Sequence, residues 1–385
     1  MAFAQYSDFF TLFLYTSLLL PAIVLGLLGK RIKWYGIFIS IPSLCLVMGL
    51  FSRQMVQFLQ FLAYEIILLI VYYCFEKRAK SELLYYTVFV LSMVPIALIK
   101  LSAHSPQFHG IGLIGISYIS FRIWQLIIEI HDQHIEKLSL PDLLYFITFF
   151  PTISSGPIDR FRRFQENLHT NLSGMEYADI YLFAGFKKLL MGVLYKFIFA
   201  SLINHFIIEK LPDEATLLST VIYMYAYTLY LFFDFAGYSN FAIGTGFLLG
   251  IKVPENFNKP FLSHNMKEFW DRWHISLSKW FGDYLFSRFI LNNLRNGTFK
   301  SKKTATRCAY MVTMTIMGVW HGFYWHYIFY GVYQGAMLVL TDIYMKSKAF
   351  RKFKTSRFYD AISITVCFQL ISFGMLLFSG YLFSF

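Results

Sequence analysis

The sequence predicts an all-α, polytopic membrane protein, and three observations carry that prediction. Of 385 residues, 57% are hydrophobic and only 15% charged, a balance too apolar for an ordinary soluble domain. Apolar runs near the ~20 residues that cross a bilayer as helix recur along the chain. The 44 phenylalanines and 27 tyrosines suit rings that face lipid or sit at its interface. The chain reads as a single membrane-embedded domain over 1–385, with roughly 11–12 transmembrane helices and further re-entrant or in-plane helices.

Candidate spans come first at about 9–28, 35–51, 56–75, 83–101 and 110–130. The first lacks a preceding basic region and a small-residue cleavage pattern, so it reads as a retained helix. The net charge of +12 is concentrated between apolar runs, at Lys30-Arg31-Ile32-Lys33, Lys77-Arg78-Ala79-Lys80, Arg160-Phe161-Arg162-Arg163, Arg295–Arg307 and Lys346–Arg357. The positive-inside rule accounts for most of this and places the N-terminus outside. An acidic cytoplasmic partner or anionic lipid headgroups would use the same charge. The basic residues form short loops rather than one groove, which argues against nucleic acid. Cys45, Cys74, Cys308 and Cys367 show no disulfide spacing and no CxxC pair, so neither redox nor zinc chemistry is suggested. His131 and His134 are spaced to share a helix face, but with no third ligand nearby a solvated helix end is expected rather than a metal site.

The run Leu143–Ile153 is short for a crossing and ends in Pro151-Thr152-Ile153-Ser154-Ser155-Gly156-Pro157. It predicts a re-entrant or interfacial turn, tolerated at membrane depth only when buried in protein or lining a wet cavity. Tyr181–Ile208, Leu217–Phe233 and Phe241–Ile251 are further apolar helices. Asp234 lies inside such a run, an expensive position unless the acid is paired or faces water; pairing within the bundle is the expected role.

The stretch that organises the chain is Pro254–Tyr284. Asn256 to Pro260 should be irregular, between two prolines. From about Met266 to Tyr284 the pattern is helical, with Trp270, Trp273, Leu277, Trp280, Phe281 and Tyr284 on one face. Lys267, Asp271, His274 and Ser278 form a narrow polar stripe beside it. His274 is therefore expected to be partly buried among polar neighbours, on an in-plane or half-inserted helix. After a basic loop at Asn292–Thr306, the apolar run Ala309–Trp320 leads into His321 and Gly322, and Phe323–Leu340 follows with His326. These histidines form no HxxxH or HxxHH cluster, which disfavours a di-iron oxidase. Tyr359–Phe383 reads as the last span.

A lone histidine in an apolar helix is most often a hydrogen-bonded core residue. Here two such histidines, His274 and His321, each adjoin a tryptophan (Trp273, Trp320) near an expected cavity. Burial keeps imidazole neutral and able to accept a proton. Acyl transfer to a hydroxyl needs such a base, donors for the developing oxyanion, and exclusion of water. No GxSxG elbow or other nucleophile motif is present, so direct transfer without an acyl-enzyme is the simpler expectation, and it needs no metal or bound cofactor.

Phe269-Trp270-Asp271-Arg272-Trp273-His274-Ile275-Ser276-Leu277-Ser278, with Trp320-His321-Gly322 downstream, resembles the signature of the membrane-bound O-acyltransferase family. Ser154-Ser155-Gly156-Pro157-Ile158-Asp159-Arg160-Phe161 and Phe233-Asp234-Phe235-Ala236-Gly237-Tyr238-Ser239 are similar to its branch that D-alanylates teichoic acids in Gram-positive bacteria. So is Tyr284-Leu285-Phe286-Ser287-Arg288-Phe289, where the alginate O-acetyltransferase branch carries a different run. The resemblance implies a bundle around a central thinned funnel, with histidines in a tunnel joining the two sides of a bacterial cytoplasmic membrane. It implies His321 as catalytic base and His274 as the second histidine, with Trp320, Asp271, Ser278, Trp273, Asp234 and Tyr238 supporting the tunnel. The donor it implies is D-alanine on the phosphopantetheine arm of an acidic carrier protein. The acceptor would be lipoteichoic acid, reached directly or through a small single-pass membrane protein of the same pathway. Phe286, Phe289, Ile290 and Leu291 offer apolar contacts for the carrier, or else pack at the membrane interface. The alternatives are O-acetylation of an exopolysaccharide, a transporter or flippase in which Asp234 and the histidines handle protons, and a scaffold for a cell-wall complex.

Overall fold

The structure is a computed structural model that describes residues 9–30, 32–48, 52–78, 80–102, 115–135, 137–212, 214 and 216–383. The N-terminal residues 1–8, whose side of the membrane the basic loops predict, lie outside the described residues. So do 110–114 of the fifth expected span, 49–51 of the second, and Arg31, Ala79 and Glu136 of the polar loops.

The described residues are helical apart from turns, loops and one isolated antiparallel bridge, Phe257–Trp273. A chain in lipid must satisfy its backbone groups internally, and the helix does this within one segment. Among the described residues, five helices are long and apolar enough to cross a membrane: α3 (Arg53–Glu76), α4 (Glu82–Ser102), α8 (Gly174–Lys210), α9 (Leu217–Leu248) and α16 (Tyr359–Ser379). Other apolar runs form α1 (Phe9–Leu27), α2 (Lys33–Met48), α5 (Ile116–His131), α13 (Lys302–His321) and α14 (Trp325–Met345), 16 to 21 residues long, and the short basic α15 (Lys348–Phe353) precedes α16. Leu217–Phe233 and Phe241–Ile251, expected as separate helices, join in the 32-residue α9. Nothing breaks the helix between them, because the intervening Asp234 is neutralised by an ion pair with Lys196.

The chain divides into two compact units, Met1–Val193 with Tyr238–Pro254 and Leu194–Gly237 with Glu255–Phe385, the boundaries falling inside α8 and α9. In the first unit α5 is buried on nearly every side from Ile116 to Ile130. The run 143–153 forms the nine-residue α6 (Leu140–Thr148) and a buried 3-10 turn at Phe150–Thr152. Buried Arg122 of α5 secures that turn. Its Nη1 donates to the carbonyls of Phe146 and Ile147, both at 2.8 Å, and its Nη2 to Thr152 Oγ1. An irregular backbone is thus satisfied inside protein, where lipid offers no partner. The helix α7 (Phe161–His169) follows. His131 and His134 share no helix face, since Gln133 adopts a left-handed φ of 61° and ends α5. His131 instead pairs with Glu76 at 3.3 Å and stacks on Tyr85.

In the second unit α13 and α14 are the most closely packed helices. Their approach depends on Gly318 and Gly331: a Cβ at Gly318 would lie 2.4 Å from the Tyr327 carbonyl oxygen, and one at Gly331 2.6 Å from that of Met314. Small residues let helix backbones meet where no hydrophobic effect drives them together. The expected basic loop at 292–306 is largely helical: α12 (Ser287–Arg295) runs into it, and α13 starts at Lys302, capped by Ser301 Oγ accepting from Lys303 N. That cap satisfies a free N–H of the first turn and extends the helix into polar sequence.

Candidate functional site

The helix expected across 266–284 is broken at the histidine. Two seven-residue helices, α10 (Met266–Arg272) and α11 (Ile275–Phe281), meet at Trp273 and His274, and His274 takes the left-handed conformation (φ 43°, ψ 51°). Asn256 holds the break. Its carbonyl accepts from Ile275 N at 2.9 Å, and its side-chain Oδ1 accepts from Ser276 Oγ at 2.6 Å and Ser276 N at 3.3 Å. Asn258 N donates to the Arg272 carbonyl at 2.9 Å. The irregular segment 256–260 thus supplies hydrogen bonds that a continuous helix would have made to itself. Left-handed φ is costly for a residue with a Cβ and persists only where surroundings over-determine it; Asn256, fully buried, does so here.

The break separates the residues of the expected polar stripe. Lys267, Asp271 and Ser278 line one cavity of about 410 Å³, and His274 lines another of about 70 Å³. The expectation of polar neighbours for His274 is corrected, because its cavity wall is mostly aromatic and aliphatic, including Phe235, Trp273, Leu277 and Phe378. The Phe235 ring stands edge-on to His274 at 4.7 Å. His274 is 5% exposed. Burial above all, and His321 beside it, press its pKa down to about 3, so the imidazole is neutral.

His321 shares that cavity. It is the last residue of α13, where Gly322 ends the helix in an extended conformation. Its ring meets Trp320 at 4.6 Å and Phe378 edge-on at 4.9 Å, and it is more open than His274. Two histidines from distant parts of the sequence therefore face one small space in an apolar surround. At about 70 Å³ the space is smaller than the ~150 Å³ that accepts benzene, a size that fits a small acyl group. The larger cavity has the size of a ligand pocket. Trp270 and Met317 line both, so these two side chains form the partition between them. Trp270 is held by its Nε1 donating to Gln334 Oε1 at 3.2 Å.

Beside the larger cavity, the buried Asp342 carboxylate gathers three cations: Lys267 at 3.0 Å, Lys346 at 2.7 Å and Arg307 at 3.3 Å. Lys267 belongs to the cavity wall. Lys279, Asp271 and Asp283 also line that cavity, so its wall carries both signs of charge, with Arg307 and Lys346 adding positive charge behind Lys267.

The remaining sequence candidates divide as follows. Trp273, 5% exposed, packs between Phe257 and Phe269 and walls the histidine cavity. Trp320 is half-buried against His321. Asp234 pairs with Lys196, as expected for an acid in an apolar helix, while its neighbour Phe235 forms the cavity wall. Tyr238 belongs to the first unit, where its hydroxyl hydrogen-bonds to Ser154. Phe286 lines the larger cavity; Phe289 and Ile290 are half-buried, and Leu291 is exposed. Sequence reasoning missed Asn256 and Gln334. Gln334, a solitary amide in an apolar run, carried a signal, because such groups are costly in lipid without a partner. Asn256 carried none beyond its place in an irregular segment.

The chain matches the model of the MBOAT, membrane-bound O-acyltransferase family over residues 9–384. It is 40% identical over 386 residues to a teichoic acid D-alanyltransferase of Bacillus subtilis (strain 168), covering 97% of this chain and 98% of that relative. To a teichoic acid D-alanyltransferase of Streptococcus thermophilus it is 35% identical over 392 residues, covering 96% and 94%. A protein of Azotobacter vinelandii named "Probable alginate O-acetylase" is 33% identical over 232 residues, covering 59% of this chain and 44% of that relative.

Proposed function

This chain belongs to the membrane-bound O-acyltransferase family and is a multi-pass membrane-bound acyltransferase; from that premise we propose that it transfers D-alanine from a cytoplasmic carrier toward hydroxyls of teichoic acid. The observation that carries the reading is the pairing of His274 and His321 in one small apolar cavity, partitioned by Trp270 and Met317 from a larger one. Near-complete coverage by the D-alanyltransferase relatives, against partial coverage by the alginate O-acetylase, favours D-alanyl over acetyl transfer.

In this mechanism the larger cavity receives the phosphopantetheine arm of an acidic carrier protein. Lys267, with Arg307 and Lys346 behind it, attracts the phosphodiester of that arm. Leu291, Phe289 and Ile290 meet the carrier, and Phe286 borders the arm. The acceptor is a lipoteichoic acid hydroxyl, or a hydroxyl of a small membrane protein that passes D-alanine on. His321 takes the hydroxyl proton as the oxygen attacks the thioester carbonyl carbon. The ester C–O bond forms, the C–S bond breaks, and the proton passes to the departing pantetheine sulfur. His274, neutral and sealed, positions the hydroxyl. The aromatic wall excludes water, which would otherwise hydrolyse the thioester.

The test uses membranes carrying the protein, carrier loaded with radiolabelled D-alanine, and the acceptor lipid. His321→Ala should reduce label transfer by at least about a hundredfold, the low end for a general base, with His274→Ala compared in parallel and both variants shown to be folded. Undiminished transfer in His321→Ala would refute the mechanism.

A further inference from the structure

Lys30 and Lys33 take no part in the histidine site, yet they border a cavity of their own. In the first unit a pocket of about 260 Å³ lies between the end of α1, the start of α2, the loop after α7 and the turn at Leu249–Ile251. Its wall carries Lys30, Lys33 and His169, with Asn167, Thr170 and Asn171 as further polar groups and no carboxylate among the described residues. Asp142, 1% exposed, anchors two of these groups from behind, Lys33 Nζ at 2.6 Å and His169 Nε2 at 2.8 Å. A buried acid thus holds both at the rim. Lys30 is exposed and enters no ion pair among the described residues.

The surface beside the mouth changes character at once. Val24 and Leu28 on and just after α1, and Trp34 and Phe38 on α2, are 54%, 63%, 62% and 68% exposed. A cationic, polar pocket adjoining exposed aliphatic and aromatic side chains matches a ligand that is anionic at one end and apolar at the other. A free anion would use only the first half of that surface. Basic residues at the membrane surface attract anionic headgroups, and here the cations ring a cavity rather than a flat loop.

We propose that this pocket binds the headgroup of an anionic phospholipid, whose phosphate faces Lys30, Lys33 and His169 and whose acyl chains lie along α1 and α2. Asn167, Thr170 and Asn171 offer hydrogen bonds to headgroup hydroxyls. The site is independent of the acyl-transfer reading.

The full-length protein in neutral detergent is mixed with phosphatidylglycerol or phosphatidylcholine, and bound lipid is counted by native mass spectrometry. Wild type should retain phosphatidylglycerol in preference to phosphatidylcholine. Lys30→Gln with His169→Gln should weaken that retention several-fold while keeping the hydrogen bond to Asp142. Lys348→Gln with Lys352→Gln, which removes two lysines from another basic stretch, should leave it unchanged. A photoactivatable phosphatidylglycerol should label 24–38 and 167–172 in the wild-type protein, a readout that needs no variant to fold. Equal retention in both double variants, labelling elsewhere, or displacement of the lipid by millimolar inorganic phosphate would each overturn the proposal; the last would assign the pocket to a free anion.

Discussion

Gly318→Ala puts the link between helix packing and catalysis to a direct test. The new Cβ would stand 2.4 Å from the Tyr327 carbonyl oxygen and 3.0 Å from Gly331 Cα, where ordinary contact begins at 3.4 Å. The nearest atoms are backbone, so no side chain can swing away, and α13 and α14 must part by about 1 Å (3.4 less 2.4). Overpacking of this kind costs about 1–3 kcal/mol, offset in part by the ~1 kcal/mol that alanine gains over glycine in a helix. His321 lies one turn further along α13, and misplacing a reacting group by ~1 Å can cost about a hundredfold in rate. We expect D-alanyl transfer to fall ~100-fold with a loss of only ~0–2 kcal/mol in stability, read as radiolabel transfer and as a thermal melt of the purified protein. Gly331→Ala closes the same gap from the other helix and should behave alike. Thr304→Ala, at an exposed site in the first turn of α13, should change neither readout. Gly318→Ala with transfer equal to that of Thr304→Ala would refute the argument that this glycine contact sets the position of His321.

Three further outcomes follow from the site. Asn256→Ala removes the acceptor of Ser276 N and Oγ at the helix break; loss of that buried acceptor should cost ~1–3 kcal/mol, whereas a melt unchanged from wild type would show that the break holds without it. His274 is neutral when folded, with a pKa near 3, but gains a proton near 6.5 when unfolded. Between those values the unfolded state binds more protons, so stability should fall as pH drops from about 6.5, by up to ~1.4 kcal/mol per unit. His274→Asn, which tolerates left-handed φ and does not titrate, should flatten the melting profile between pH 7 and 5, and identical slopes would count against a buried neutral histidine. Trp270→Phe leaves Gln334 Oε1 without its indole donor and thins the partition between the cavities. Release of free D-alanine from loaded carrier in the absence of acceptor should rise several-fold, and an unchanged rate would mean that the indole is no barrier to water.

Much of this protein follows from its sequence because the bilayer narrows the choice. Long apolar runs must become helices, since lipid satisfies no backbone group, and α3, α4, α8 and α16 stand where hydropathy places them. Asp234 had to find a partner for the same reason, and Lys196 is that partner. The two histidine–tryptophan pairs were legible as candidate chemistry through their motifs. Periodicity failed at His274, because a repeat of 3.6 residues assumes that each helix satisfies its own hydrogen bonds. Asn256 and Asn258, distant in sequence from the break, supply substitutes, and no local pattern reveals a partner that only folding brings near. The same limit applies to the Trp270–Gln334 latch and to the division of Lys267, Asp271 and Ser278 from His274. Local sequence determined which segments are helices and which residues carry the chemistry. Tertiary contacts decided where the central helix breaks, and therefore that His274 shares an apolar cavity with His321 instead of lying in a polar stripe.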